Sequence, residues 1–160
     1  FAPTSIPGAT HYTETAVMRE VLEADVLIAA PVAKHHGSTG VSLSMKGMMG
    51  LIYNRGELHW RYNLHTAIAD LMRLLRADLT VIDVTRALTT NGPSGPGEVK
   101  QMDTVVASTD MVAADAQVVS MVPWYGRSIT PDKVEHIRVA HEWGLGRLDI
   151  HNLHLHRAAV

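Results

Sequence analysis

DVLIAAPVAKHHGSTGVSLSMKGMMG, residues 25–50, decides how the fold is read. Asp25–Ala30, apolar in every residue after the first, forms a run closed by Pro31, the pattern of a strand buried on both faces. Lys34-His35-His36-Gly37 and Ser38-Thr39-Gly40 follow where such a strand would end, with Ser38 or Thr39 as helix N-caps. Met45, Met48, Met49 and Ile52 then fall at i, i+3, i+4 and i+7, a helical face interrupted by Gly47 and Gly50. Strand, loop and helix in that order open a βα unit. In an open α/β sheet ligands sit outside the carboxyl ends of the strands, so the loop 31–40 is the first candidate site.

Upstream, residues 1–12 read as an irregular lead-in, and Thr13 caps a helix over 14–23 with Met18, Val21 and Leu22 on one face. Downstream, a polar and aromatic connection over 53–63 ends at Asn63, which caps a helix from Leu64 to about Arg76. Leu64, Ile68, Leu71, Met72 and Leu75 form its buried stripe. Leu79–Val84 is a second buried strand, leading into a long loop, Thr85–Lys100, built around TTNGPSGPG. Thr104–Ser108 is a third strand, and Asp110 caps a very apolar helix over Met111–Val122. Thr130-Pro131 starts a further helix that Gly144 ends, and Leu148–His156 reads as a closing strand. This alternation predicts a three-layer αβα domain with a mainly parallel sheet, one domain over 1–160.

Composition narrows the chemistry. With 46% hydrophobic and 19% charged residues in 160, a substantial core is expected and disorder is not. A formal net charge of −2 with interspersed signs gives no nucleic-acid footprint, and no apolar run approaches the ~20 residues of a membrane span. The absence of cysteine excludes disulfides, thiolate metal sites and any Cys-ligated iron–sulfur cluster within this chain. The compartment stays open between the cytoplasm, slightly favoured, and export after removal of a signal.

His35 and His36 titrate near neutrality, which suits acid/base work or metal ligation, and a structural role at a strand end is the rival reading. Lys34 and Lys46 share the neighbourhood and could hold an anion or, if desolvated, act as a base. Ser38, Thr39 and Gly40 ahead of a helix would let backbone N–H groups cradle a negative group. Asp83, a lone carboxylate late in an apolar strand, must be paired or bound, and Arg86 and Asn91 follow it in the long loop. Candidate catalytic residues are therefore Lys34, His35, His36 and Asp83, with Lys46, Ser38, Thr39, Gly40, Arg86 and Asn91 binding substrate. A divalent metal would draw on His35, His36, His65 and Asp83, with His59 as a further nitrogen ligand and Asp70 as another carboxylate, provided separate segments converge; exposed loop histidines are the rival reading of His59 and His65. The Met stripe and Asp115, alone in its apolar helix, read as structural, and the tail histidines His151, His154 and His156 as a solvent-facing edge.

The segments 25–52, LHTAIADLMRLLRADLTVIDVTRALTTNGPSGPG (64–97), VVASTDMVAADA (105–116) and EWGLGRLDI (142–150) together resemble the family known as domain of unknown function 362. The resemblance implies a redox context, because some members append a cysteine-rich ferredoxin-like module; that role does not carry over to a chain without cysteine. It also implies an earlier portion with another strand, so a longer precursor, or a partner or second copy completing the sheet, is expected. The leading expectation is an enzyme-like domain whose His/Lys/Asp site takes a small anionic metabolite, with metal-assisted or redox-associated chemistry. The alternative is a non-catalytic binding or assembly subunit that oligomerises through its sheet.

Overall fold

The structure, a computed structural model, describes residues 1–159. It is a mixed α/β fold. Residues 1–17, expected to be irregular and then helical, form a hairpin: β1 (Ala2–Ser5) pairs antiparallel with β2 (Glu14–Val17). Asp70 explains why this segment is fixed. Its fully buried carboxylate accepts the backbone N–H groups of Thr10, His11 and Tyr12 at 3.0, 2.9 and 2.9 Å. A short helix, α1 (Arg19–Glu23), is all that remains of the expected helix over 14–23.

The apolar run 25–30 contributes only β3 (Ile28–Ala29), and the strand resumes beyond Pro31 as β4 (Val32–His36). Both pair parallel with β6 (Leu79–Leu88), and the Pro31 carbonyl still accepts from Asp83 N at 2.9 Å. Proline removes one donor yet leaves its carbonyl in the ladder, so it interrupts this strand without ending it. The long loop is correspondingly shorter than expected: β6 runs on to Leu88, and β7 (Val99–Gln101) folds back antiparallel on its second half. β8 (Val105–Ser108) pairs antiparallel with its first half. Beyond β4, β5 (Gly40–Ser42) forms a hairpin, so Ser38 and Thr39 sit in a strand-to-strand turn instead of capping a helix.

The Met-rich segment is a four-residue helix, α2 (Ser44–Gly47), continued by a 3-10 turn over Met48–Leu51. Met45, Met48, Met49 and Ile52 are buried, as core packing requires. Asn63 caps α3 (Leu64–Leu71), accepting from Thr66 N at 3.0 Å, and the stripe through Leu75 is buried. Asp110 caps α4 (Met111–Met121) by accepting from Ala113 N at 3.0 Å. A 3-10 turn at Pro131–Lys133 leads into α5 (Glu135–Glu142), which closes at Gly144 with φ 71°. The tail is a 3-10 turn at Ile150–Asn152 followed by irregular chain, not the expected strand.

α4 packs on β6 and β8, α5 packs on α4 and α3, and α2 bridges β5 and α4. The opposite sheet face follows from the register, since directly paired residues share a face. Ile28 pairs with Leu79, Val32 with Asp83, Ala107 with Val81 and Val105 with Asp83. On that face Ile28, Val32 and Val105 are 56%, 48% and 56% exposed.

Candidate functional site

Basic groups gather where α2 meets the 53–63 connection. A cavity of about 400 Å³ is lined by Lys46, Met49, Arg55, His59 and the glycines Gly47, Gly50 and Gly56. Among the described residues no carboxylate lines it. The glycines have open space where a Cβ would stand, so backbone forms part of the wall. His59 carries the site inward: its ring stacks on that of His36, with centroids 5.9 Å apart and planes 25° apart. A larger cavity of about 470 Å³ lies against the N-terminal hairpin. It holds both charge signs, with Arg61 and Glu57 already paired at 3.4 Å, and no histidine, so the smaller cavity is the better site.

The charges in the small cavity act on one another without compensation. Burial, with the charges of Lys34 and Arg55, lowers the proton affinity of the half-buried Lys46. Burial and then Lys46, His59, His35 and Lys34 push His36 down to about 4. His59 is lowered too, by burial and by Lys46. Three of the four lysines have partners: Lys34 Nζ donates to Val32 O at 3.3 Å, Lys100 meets Glu98 at 2.7 Å and Lys133 meets Asp132 at 3.1 Å. Lys46 has neither a hydrogen bond nor an ion pair among the described residues.

Asp115 fixes Lys46 from beneath. This fully buried carboxylate accepts from Ser44 N (2.9 Å), Ser44 Oγ (2.6 Å) and Met45 N (3.0 Å), the start of the helix that carries Lys46. A negative group does sit at a helix N-terminus, but it belongs to the chain itself. Ser38, Thr39 and Gly40 form no cradle. Thr39 is buried and donates to Val41 O at 2.8 Å, and Gly40 takes the left-handed conformation of the hairpin turn.

The two adjacent histidines are each held by backbone. His36 Nδ1 accepts Ser38 N at 3.2 Å, and His35 Nδ1 accepts Gly92 N at 3.1 Å, with Tyr125 edge-on to the His35 ring. A neutral imidazole that accepts at Nδ1 carries its proton on Nε2. Both rings therefore offer a donor, whereas a metal ligand needs a bare nitrogen, its other N–H usually given away. The remaining members of the expected metal set do not join them. Asp83 accepts from Thr85 N and Oγ1 at 2.8 and 2.7 Å, and it faces outward beside Val32 and Val105. Asp70 is committed to the hairpin. Among the described residues no group of three or more His, Asp or Glu side chains is placed to hold a metal ion. Arg86 is exposed on β6, and Asn91 bonds Pro96 within its loop and Tyr125 from the chain after α4.

His65 lies elsewhere than expected, stacked on His136 of α5 at 5.7 Å and 3.7 Å from Glu135. His136 is fully buried with both ring nitrogens unpartnered, and His65 Nδ1 is also buried without a partner. Burial, then His65, Lys46 and His36, push His136 down to about 3, which places it behind the same basic cluster. Sequence reasoning missed His136 and Arg55. The only signal for His136 is its place on the buried stripe with Ile137 and Ala140.

No helix among the described residues is long and apolar enough to cross a membrane. No curated protein and no solved structure matches the chain. The sequence model of one family, described as Domain of unknown function (DUF362), matches residues 2–120, well over half of the chain, and the protein belongs to that family.

Proposed function

We propose that the domain binds a small anionic molecule in the cavity of Lys46, Arg55 and His59 and acts on it as an enzyme. The observation that carries this reading is a set of basic donors around one cavity with no carboxylate among the described residues to balance them. A bound anion would relieve the mutual repulsion and raise the proton affinity of His36 and His59 toward the range where imidazole transfers protons. Among the candidates read from the sequence, Lys34, Lys46, His36 and His59 belong to this cluster; the acid/base part falls to His36 and His59, with Lys46 and Arg55 as anchors. The test is calorimetric titration with inorganic phosphate and with lactate. Losing one charged hydrogen bond costs about 1.5–3 kcal/mol, so Lys46→Met and Arg55→Met should each weaken binding about ten- to hundredfold. No saturable binding by the native chain, or native affinity in both variants, overturns the reading.

A second reading rests on the outward apolar sheet face at Ile28, Val32 and Val105. Assembly through it, with a second copy or with a partner supplying further sheet or helix, would complete the three-layer arrangement expected from the sequence. Light scattering separates the two readings, since a strict monomer disfavours assembly.

A further inference from the structure

We infer that Lys46 is an amine nucleophile that forms a Schiff base with a small 2-oxo acid, whose carboxylate is held by Arg55. This rests on the anion-binding reading of the same cavity and adds the substrate class and the covalent step. Four observations converge on it. Lys46 is the one lysine without a partner among the described residues, while Lys34, Lys100 and Lys133 are each bonded. It lines a cavity large enough for a small metabolite, beside a guanidinium that has no ion pair among the described residues. The Asp115 clamp on Ser44 and Met45 fixes the backbone immediately before it, so its side chain reaches the cavity from a rigid base. His59, stacked on the buried His36, offers imidazole on the same wall.

Lysine is a poor nucleophile while protonated, and desolvation beside other cations is a known way to keep its amine neutral. Burial and the neighbouring Lys34 and Arg55 act on Lys46 in that direction. The step balances within the site. The lone pair of Nζ attacks the ketone carbon, a C–N bond forms, and the π pair moves onto oxygen, which takes up a proton. The C–O bond then breaks, so the two amine hydrogens and the carbonyl oxygen leave as one water and an imine remains. Protonation of that imine from His59 or solvent makes it an electron sink for loss of a proton from the adjacent C3 carbon, whose electron pair moves into a C=C bond to give an enamine, with no oxidant or reductant required. An anion without a carbonyl would bind the cavity and go no further.

Incubation of the chain with pyruvate and sodium borohydride, followed by peptide mapping, tests this. Expected is a reduced adduct concentrated on Lys46, competed away by lactate, lost in Lys46→Arg and retained in Lys133→Arg. Mapping within the native protein makes the other three lysines internal controls, so a poorly folded variant does not decide the result. An adduct spread evenly over the four lysines, or none at all, overturns the proposal. If lactate or phosphate binds and no adduct forms, the covalent step alone falls; if neither anion binds, the anion reading falls with it.

Discussion

His136 is the residue whose burial has the largest consequence. A buried imidazole with no hydrogen bond loses its hydration without recompense, which costs about 1–3 kcal/mol even when neutral. Charging it costs more, and burial accordingly depresses its proton affinity from near 6.5 to about 3. The unfolded chain then binds a proton that the folded chain refuses. Stability from this group is fully present above about 6.5 and is lost as pH falls toward about 3, at ~1.4 kcal/mol per tenfold difference in affinity. Asp115 works in the other direction: burial raises it to about 6, so its contribution is present below the ordinary carboxylate range and is lost as pH rises through about 6. His136→Phe should therefore flatten the acid side of the stability profile, measured as the urea midpoint from neutral to acid pH. Equal slopes in native and variant protein would contradict the burial account. The role of His136 was not readable from its own position. Asp115 was recognisable as structural because a carboxylate in an apolar helix needs a partner, but the partner, Ser44, lies 71 positions away. Lys34, His36 and Lys46 were legible as a group because they flank one strand end; Arg55 and His136 join them only through tertiary packing.

At the scale of elements, the sequence carried helix identity better than strand extent. Asn63, Asp110 and Gly144 marked their helix ends because capping is local chemistry. The hairpin of residues 2–17 was illegible, since its fixing contact is the distant carboxylate of Asp70. The long strand β6 and the loop after it show the same dependence. Arg86 to Leu88 pair because β7 returns from beyond the turn-rich segment, and that segment docks on the end of β4 through two contacts. Gly92 N donates to His35 Nδ1, and Gly92 O accepts from Gly37 N at 3.3 Å. A Cβ at Gly92 would run into the His35 carbonyl oxygen, so the docking depends on glycine there. Gly92→Ala is expected to destabilise the fold by about 1–3 kcal/mol through forced displacement of the loop. An unchanged denaturation midpoint would show that the loop does not rest on β4 in solution.

For the whole molecule, the question is why a sheet covered by helices on one face keeps β-branched residues on the other. Ile28, Val32 and Val105 point outward with Leu79 and Val81, in strands whose apolar runs match the two-sided burial of α/β sheets. Large exposed apolar patches on a folded domain mark contact surfaces more often than accidents. The same runs are what made a three-layer architecture readable from sequence, because local pattern records that a face is apolar without recording what covers it. If a second copy covers it, light scattering of the native chain gives the mass of an oligomer. Ile28→Lys combined with Val105→Lys then yields monomer, because each lysine would place an unpaired charge in a dry interface. Both substitutions lie at exposed positions, so the monomer should keep its denaturation midpoint apart from the part contributed by association. A native chain that is monomeric across concentration, with a midpoint unaffected by the two lysines, would leave the face uncovered and remove the assembly reading. The basic cavity lies on other elements, and phosphate or lactate affinity should be unchanged in the double variant.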